Sequence, residues 1–234
     1  MYKRVLLKLS GEVLLGRSDY GIDAAVVKRI GTEIRDAVSK GVEIALIVGG
    51  GNIFRGAEGV SETGMTRAVA DGMGMLATMM NALALKDGFH HLDLPAVVLS
   101  AVPMGTLVDT FQRDRAIEHM MQKRVIIIPG GTSNPFFTTD TAAVLRALET
   151  DCEIILKGTK VDGVYSADPK KDPSATRYEK LSFDEAITKN LRVMDLSAFA
   201  MAKDHRIPIR VFNMLTAGAI TKALIGENIG TLVS

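Results

Sequence analysis

VIIIPGGTSNPFFTTDTAAVLRAL, residues 125–148, decides how this chain is read. Val125, Ile126, Ile127 and Ile128 form a short β-branched run of the kind that parallel sheets bury on both faces. Pro129, Gly130 and Gly131 stop it, and from about Thr139 the apolar residues fall at helical spacing through Ala142, Ala143, Leu145 and Leu148. Between strand and helix lies a polar loop of Thr132, Ser133, Asn134, Thr138 and Thr139, stiffened by Pro135. Its hydroxyls, its backbone N–H groups and the positive end of the following helix together suit an anion such as phosphate. Asp140 adds a carboxylate in the first helical turn, where the dipole favours its ionised form. A plainer account of the same residues is a capped helix, with Thr139 as N-cap and Asp140 as its dipole complement. The surrounding chain decides between the two.

Outward from this segment, strand, loop and helix keep alternating. Arg4–Leu9 reads as a strand that runs into Ser10, Gly11 and Glu12, with Lys8 breaking its apolar run just before the turn. Asp23 is placed to cap a helix that carries Val26, Ile30, Ile34 and Ala37 on one face and is closed by Gly41. Residues 44–48 form a second strand, ending in Gly49, Gly50 and Gly51, then Asn52, Ile53, Phe54 and Arg55. A polar stretch over 57–64 leads into a long helix over 66–86, whose Met73, Leu76, Met79, Met80 and Leu83 read as packing residues. Residues 96–99 make a third strand, and a helix over 113–123 leads back to the opening segment. Beyond it, 153–156 is a strand followed by Lys157, Gly158, Thr159 and Lys160, and 161–172 reads as loop. Ser182 and Glu185 form a capping box for a helix over 183–188. A helix over 196–203, a strand over 209–212, a helix over 219–224 and a strand over 231–233 follow. This alternation predicts an α/β fold: three αβα layers around a mostly parallel, doubly wound sheet, with no linker or repeat dividing the chain. Ligands of such sheets bind beyond the carboxyl ends of the strands. Residues 8–11, 49–55, 129–140 and 157–168 all fall there.

Composition narrows the partners. With 28 Lys and Arg against 27 Asp and Glu the net charge is +1, which argues against nucleic acid as a partner. Small anions need only a local cluster. A hydrophobic content of 47% with 24% charged residues is that of a soluble globular protein. The opening MYKRVLLKLSGE lacks the apolar run of a signal peptide, and no stretch is expected to reach membrane-spanning length. The one cysteine, Cys152, excludes an internal disulfide, fits a reducing cytoplasm and reads as a buried structural thiol beside 154–156.

The loops carry the chemistry. Gly49, Gly50 and Gly51 match neither the GxGxxG dinucleotide fingerprint nor the GxxxxGK[ST] P-loop, yet three glycines after a strand permit close backbone approach to a ligand. Lys8 and Ser10 beside Gly11 can hold phosphate oxygens through ammonium, hydroxyl and N–H groups. Asp71 on its own reads as a solvated helix position, and only the resemblance described next implies a ribose contact, since a carboxylate accepts from two adjacent hydroxyls. No DxD, HExxH or clustered histidine pattern offers a metal cage; with the resemblance described next, this implies Mg²⁺ on the nucleotide phosphates, with few or no direct protein ligands. His90, His91, His119 and His205 are scattered and take no role.

KLSGE at 8–12, GGGNIFRG at 49–56, ADGMGMLAT at 70–78, GGTSNPFFTTD at 130–140 and KGTKVDGVYSADPKKDP at 157–173 together resemble bacterial uridylate (UMP) kinases of the amino acid kinase superfamily. VMDLSAF at 193–199 and PIRVFN at 208–213 extend the resemblance over essentially the whole chain. It departs at Gly158 and Ser133, where KATKVDG and GTGNPFF are usual and both substitutes are small, and in the GRSDYG stretch at 16–21. The resemblance implies one domain over 1–234, its N-terminal part mainly on the acceptor side and its C-terminal part mainly on the ATP side. It implies transfer of the ATP γ-phosphoryl group to UMP, giving UDP and ADP in pyrimidine nucleotide biosynthesis. By position, Lys8, Leu9, Ser10, Gly11, Gly51 and Arg55 would face the ATP phosphates, and Thr159, Tyr165 and Asp168 the ATP nucleoside. Gly50, Asp71, Thr132, Ser133, Asn134, Pro135, Phe136, Phe137, Thr138 and Thr139 would hold UMP. Asp140 would orient the catalytic lysines, Lys8 with either Lys157 or Lys160, and Arg55 would add charge. The same resemblance implies a cytoplasmic homohexamer with GTP as activator and UTP as inhibitor, and sets the GTP response near Gly16, Arg17, Ser18, Asp19, Tyr20 and Gly21. Two rivals differ in class. One is a kinase of the same superfamily acting on a carboxylate or carbamate, which NPFFTTD and Asp71 disfavour. The other is a nucleotide-binding storage or sensor protein without turnover, which UDP formation would exclude.

Overall fold

A computed structural model describes residues 1–55, 64–167, 169, 171–172, 174–191 and 194–234. Its strands are β1 (Arg4–Leu9), β2 (Glu43–Val48), β3 (Ala96–Ser100), β4 (Asp109–Thr110), β5 (Val125–Ile127), β6 (Ile154–Thr159), β7 (Lys180–Leu181), β8 (Ile209–Asn213) and β9 (Thr231–Val233). The helices are α1 (Ala24–Ser39), α2 (Arg67–His90), α3 (Arg113–Met121), α4 (Thr139–Glu149), α5 (Phe183–Thr188), α6 (Leu196–Asp204) and α7 (Ala219–Leu224), with a 3₁₀ turn at Gly11–Leu15. All nine strands join one sheet in the order β4-β3-β5-β2-β1-β6-β8-β9-β7. Every pairing is parallel except β8 with β9.

Side chains alternate across a strand, so β1 feeds two cores at once. Val5, Leu7 and Leu9 join Ile44, Leu46 and Val48 of β2 under α1, α2 and α7, where Ile30, Ile34, Leu85, Phe89, Ile220 and Leu224 are buried. Leu6, Ala45, Ile47, Ile126 and Ile155 face the other way, onto Ala142, Ala143 and Ala147 of α4 and Ala198, Phe199 and Ala202 of α6. Two helical layers on a parallel sheet explain why the central strands are apolar throughout. Asp23 caps α1 as its sequence position predicts, Oδ1 accepting from the N–H groups of Ala25 at 2.8 Å and Val26 at 3.4 Å.

Several expectations need correction. The N-cap of α4 is Thr138, whose Oγ1 accepts from Asp140 N–H at 3.0 Å; Thr139 is already the first helical residue. β6 continues through Lys157, Gly158 and Thr159, because these residues pair with Val211, Phe212 and Asn213 of β8. α2 runs on to His90 and, at 24 residues, is long and apolar enough by length and composition to cross a membrane, contrary to expectation. Here it is a core helix, with Ala77, Met79, Asn81, Ala82, Leu85 and Phe89 buried. Leu76 and Met80, read as packing residues, are about half exposed. The two-residue strands β4 and β7 and the 3₁₀ turn carry too few residues for a periodic signal. The polar stretch over 57–64 lies outside the described residues but for Gly64, as does Asp168.

Candidate active site

The sheet order sets four loops side by side. β5, β2, β1 and β6 are consecutive neighbours and all run parallel, so the segments after Ile127, Val48, Leu9 and Thr159 emerge at one edge. From β1 the chain moves to β2 on one side, and β6 later adds on the other. The crevice between β1 and β6 is the switch point at which such sheets bind ligands.

The parallel register puts Lys8 of β1 opposite Lys157 of β6. Both have the parity of Leu6 and Ile155 and so point toward α4. Two ammonium groups on adjacent strands repel, and the α4 N-terminus supplies the answer. Asp140 Oδ1 lies 2.8 Å from Lys8 Nζ, and Asp140 Oδ2 accepts from Lys157 Nζ at 2.6 Å. The three side chains are only 11%, 12% and 13% exposed for Lys8, Lys157 and Asp140. Burial pushes the Asp140 carboxyl up, but the charges of Lys8 and Lys157 and the Lys157 hydrogen bond outweigh it and hold it below the usual carboxylate range. Lys157 is pushed down, by burial first and by the charge of Lys8, against the pull of Asp140. Behind the cluster Asp195, the N-cap of α6, accepts from Thr141 Oγ1 at 3.0 Å and from Thr138 Oγ1, tying the cap of α4 to α6.

Beside this cluster the glycine turn after β2 packs onto the turn after β1. A Cβ on Gly11 would lie 2.3 Å from Gly49 O, and one on Gly50 would lie 2.8 Å from Gly74 O, so neither position admits a side chain. Gly49 N–H donates to Leu9 O at 3.0 Å, while those of Ser10, Gly11, Gly50 and Gly51 donate to none of the described residues. A cluster of such N–H groups is an anion cradle. Leu9 itself is fully buried, so only its backbone is available at this edge. At the rim Glu12 bridges two cations, Oε1 lying 3.1 Å from Arg55 and Oε2 2.9 Å from Lys160. The Lys160 hydrogen bond, with the charges of Lys160 and Arg55, holds the Glu12 carboxyl below its usual range against a modest effect of burial. Lys157, rather than Lys160, thus shares Asp140 with Lys8.

Two cavities flank the cluster. One of about 250 Å³ lies between α2 and the loop after β5, lined by Gly50, Arg67, Asp71, Thr132, Asn134, Phe137, Thr138 and Thr139 among others. Arg67 Nε donates to both Asp71 oxygens at 2.8 Å, and Phe136 N–H donates to Asp71 Oδ2 at 2.8 Å. Phe136 has φ +73° and Ser133 φ +64°, left-handed conformations that cost most for a bulky residue and mark a loop held by its surroundings. The second cavity, about 570 Å³, reaches from Lys157 and Thr159 past Tyr165 to Lys189 and Leu191.

The amino acid kinase family model matches residues 3–213. The chain belongs to the amino acid kinase family. Among solved structures it resembles the UMP kinase from Bacillus anthracis at 36% identity and TM-score 0.96, covering 100% of this chain and 96% of that one. The UMP kinase from Ureaplasma parvum is 38% identical at TM-score 0.94, covering 100% and 99% of the two chains. The uridylate kinase from Archaeoglobus fulgidus is more distant, at 28% and TM-score 0.75, with both chains covered in full.

Of the residues named from sequence, Lys8, Asp140 and Lys157 meet directly, and Gly50, Asp71, Thr132, Asn134, Phe137, Thr138 and Thr139 line the smaller cavity. Ser133, Pro135 and Phe136 lie in the same loop, with Phe136 and Phe137 well exposed. Thr159 and Tyr165 line the larger cavity. Gly16, Arg17, Ser18, Asp19, Tyr20 and Gly21 stand on the exposed turn after the 3₁₀ segment and line neither cavity. Arg67 escaped the sequence reading, though its spacing from Asp71, four residues along one helix, was the available signal. Glu12 stood within a quoted motif without a role. Among the described residues no three of His, Cys, Asp and Glu group as metal ligands, and Asp140 and Glu12 are each paired to two cations.

Proposed function

We propose that this chain transfers the γ-phosphoryl group of ATP to UMP, forming UDP and ADP in pyrimidine nucleotide biosynthesis. One observation carries the mechanism: Asp140 holds Lys8 and Lys157 together between two cavities, one reaching Lys157 and the other ending at Thr139, next to Asp140. UMP takes the smaller cavity, where Asp71 keeps acceptor capacity for ribose hydroxyls beyond its bonds to Arg67 and Phe136. The ATP nucleoside takes the larger cavity beside Thr159 and Tyr165, with Asp168 as a further expected contact, and its phosphates lie over Ser10, Gly11 and Gly51. Along the chain this sets the acceptor mainly on the N-terminal part and ATP mainly on the C-terminal part of one domain.

A phosphate monoester is already close to doubly ionised at neutral pH, so its oxygen needs no general base. The nucleophile attacks the γ-phosphorus in line, the bond to the β-phosphate oxygen breaks, and negative charge spreads over the transferring oxygens. Lys8 and Lys157 stabilise that charge from fixed positions, with Arg55 adding charge at the rim. Asp140 acts by holding the lysines. The acidic groups beside the phosphate cradle are already paired to cations, so the ATP phosphates themselves would hold Mg²⁺, which would supply neutralisation of their charge.

Cytoplasmic location and a homohexamer belong to the same reading. Val69, Leu76 and Met80 form an exposed apolar strip on α2 of the kind an assembly covers. In this reading GTP activates through the turn at 16–21, and UTP inhibits. The test is a coupled assay of the purified protein with UMP, CMP, dTMP and simple carboxylates, with and without GTP. UMP is expected to be the best acceptor, CMP clearly poorer and carboxylates inert. Faster turnover on a carboxylate than on UMP would overturn the assignment.

A further inference from the structure

We propose that Asn52 and Asn81 are positioning residues that aim the glycine turn at the phosphates, an inference that rests on the phosphoryl-transfer reading. The two side chains form a reciprocal amide pair. Asn52 Nδ2 donates to Asn81 Oδ1 at 2.9 Å, and Asn81 Nδ2 donates to Asn52 Oδ1 at 2.7 Å. Each amide spends its second N–H on a backbone carbonyl: Asn81 on Gly49 O at 2.7 Å, Asn52 on Gly21 O at 2.9 Å. Both residues are buried, at 0% and 3% exposed for Asn81 and Asn52. All four N–H donors are therefore used, and rotating either amide by half a turn would set its oxygen against a carbonyl oxygen. The pair has a single consistent orientation.

That orientation decides which way the turn faces. Three successive glycines have wide conformational freedom, and a carbonyl oxygen turned toward a phosphate would repel it. Asn81 takes the Gly49 carbonyl into the interior, and Gly50 O is taken by the N–H groups of Ile53 and Phe54, each at 3.0 Å. With both carbonyls engaged, the Gly51 N–H remains available for the donor phosphates. Asn52 Oδ1 would stand 2.7 Å from a Cβ on Gly11, so the pair also packs against the turn after β1. Asn81 stands on α2, the helix that presents Arg67 and Asp71 to the smaller cavity and whose Thr78 Oγ1 accepts from Gly130 N–H at 2.8 Å. The pair thus anchors the donor phosphates to the same helix that holds the acceptor.

The test uses Asn81→Ala, Asn52→Ala and the double variant in the full-length protein. Melting temperature, dissociation constants for MgATP and for UMP by calorimetry, and kcat are measured on the same preparations. Each single variant is expected to weaken MgATP about tenfold, the equivalent of one net hydrogen bond. Misplaced phosphates are expected to lower kcat about ten- to a hundredfold, while UMP affinity stays within about threefold of the parent. The double variant should resemble the worse single one, because the amides act as a unit. Folded variants with MgATP affinity and kcat within about threefold of the parent would overturn the proposal. So would an equal loss of UMP and MgATP affinity, or failure of both single variants to fold, since either outcome marks the pair as structural support alone. MgATP calorimetry does not depend on the acceptor, so a parent that phosphorylates something other than UMP would refute the acceptor assignment and leave this test readable.

Discussion

A carboxylate buried between two ammonium groups does two jobs, and they separate by measurement. Asp140 offsets the repulsion of Lys8 and Lys157 and fixes where both point. Asp140→Asn should therefore lower kcat strongly and also destabilise the fold, by about 3–5 kcal/mol if it behaves as other broken buried pairs do. A merely helix-capping Asp140 would cost about 0.3–1 kcal/mol and leave kcat near normal. Because the folded carboxyl sits below its ordinary range, its contribution is fully present above the unfolded carboxylate pKa. It is lost as pH falls through the lower, folded value. The melting-temperature gap between the parent and Asp140→Asn should accordingly close in acid, and a gap unchanged through that range would refute the assignment. Lys157 titrates from the other side. Its lowered pKa means that the charge used in transfer disappears below the ordinary lysine range, so kcat should fall early on the alkaline limb. Lys157→Met should be slow throughout and lack that limb; a variant with the parental alkaline profile would assign the limb elsewhere.

At the scale of elements, the segment 125–148 shows what a sequence can and cannot display. The β-branched run, the glycine stop and the helical spacing all appear at their expected places in β5 and α4. The capping residue did not, because Thr138 and Thr139 are equally good caps by type and only the backbone at Thr138, φ −94° and ψ 175°, settles which one leaves the helix. Thr138→Ala should cost about 1 kcal/mol or more through the lost cap, and it also removes the hydroxyl bond to Asp195. Thr139→Ala should leave stability nearly unchanged. Thermal melts of the two variants check the pair, and equal losses would contradict the assigned cap. α2 was legible as a helix but not as a ruler. Arg67, Asp71, Thr78 and Asn81 are spaced so that one helix meets the small cavity, the Gly130 turn and the glycine turn in succession. Contacts that distant in sequence leave no local trace.

At the scale of the molecule, the parallel sheet converts separate motifs into one site. Strand and helix alternation is enough to foresee the layers and the sheet edge at which the four loops gather. The strand order, and above all the register that sets Lys8 opposite Lys157, is a long-range property that no spacing within either segment encodes. It is also what distinguishes Lys157 from Lys160, two residues equally basic on paper. By the function proposed above, this register builds a catalyst for phosphoryl transfer and not only a nucleotide-binding crevice. Lys8→Met tests it most directly, because the thioether keeps the bulk of the buried stem and removes only the charge. On one preparation, kcat for UDP formation and the UMP dissociation constant would be measured together. A catalytic Lys8 should give a fall in kcat of about 10²–10³-fold, or about 2.7–4 kcal/mol of transition-state stabilisation, with UMP affinity little changed. A kcat within about threefold of the parent would contradict it.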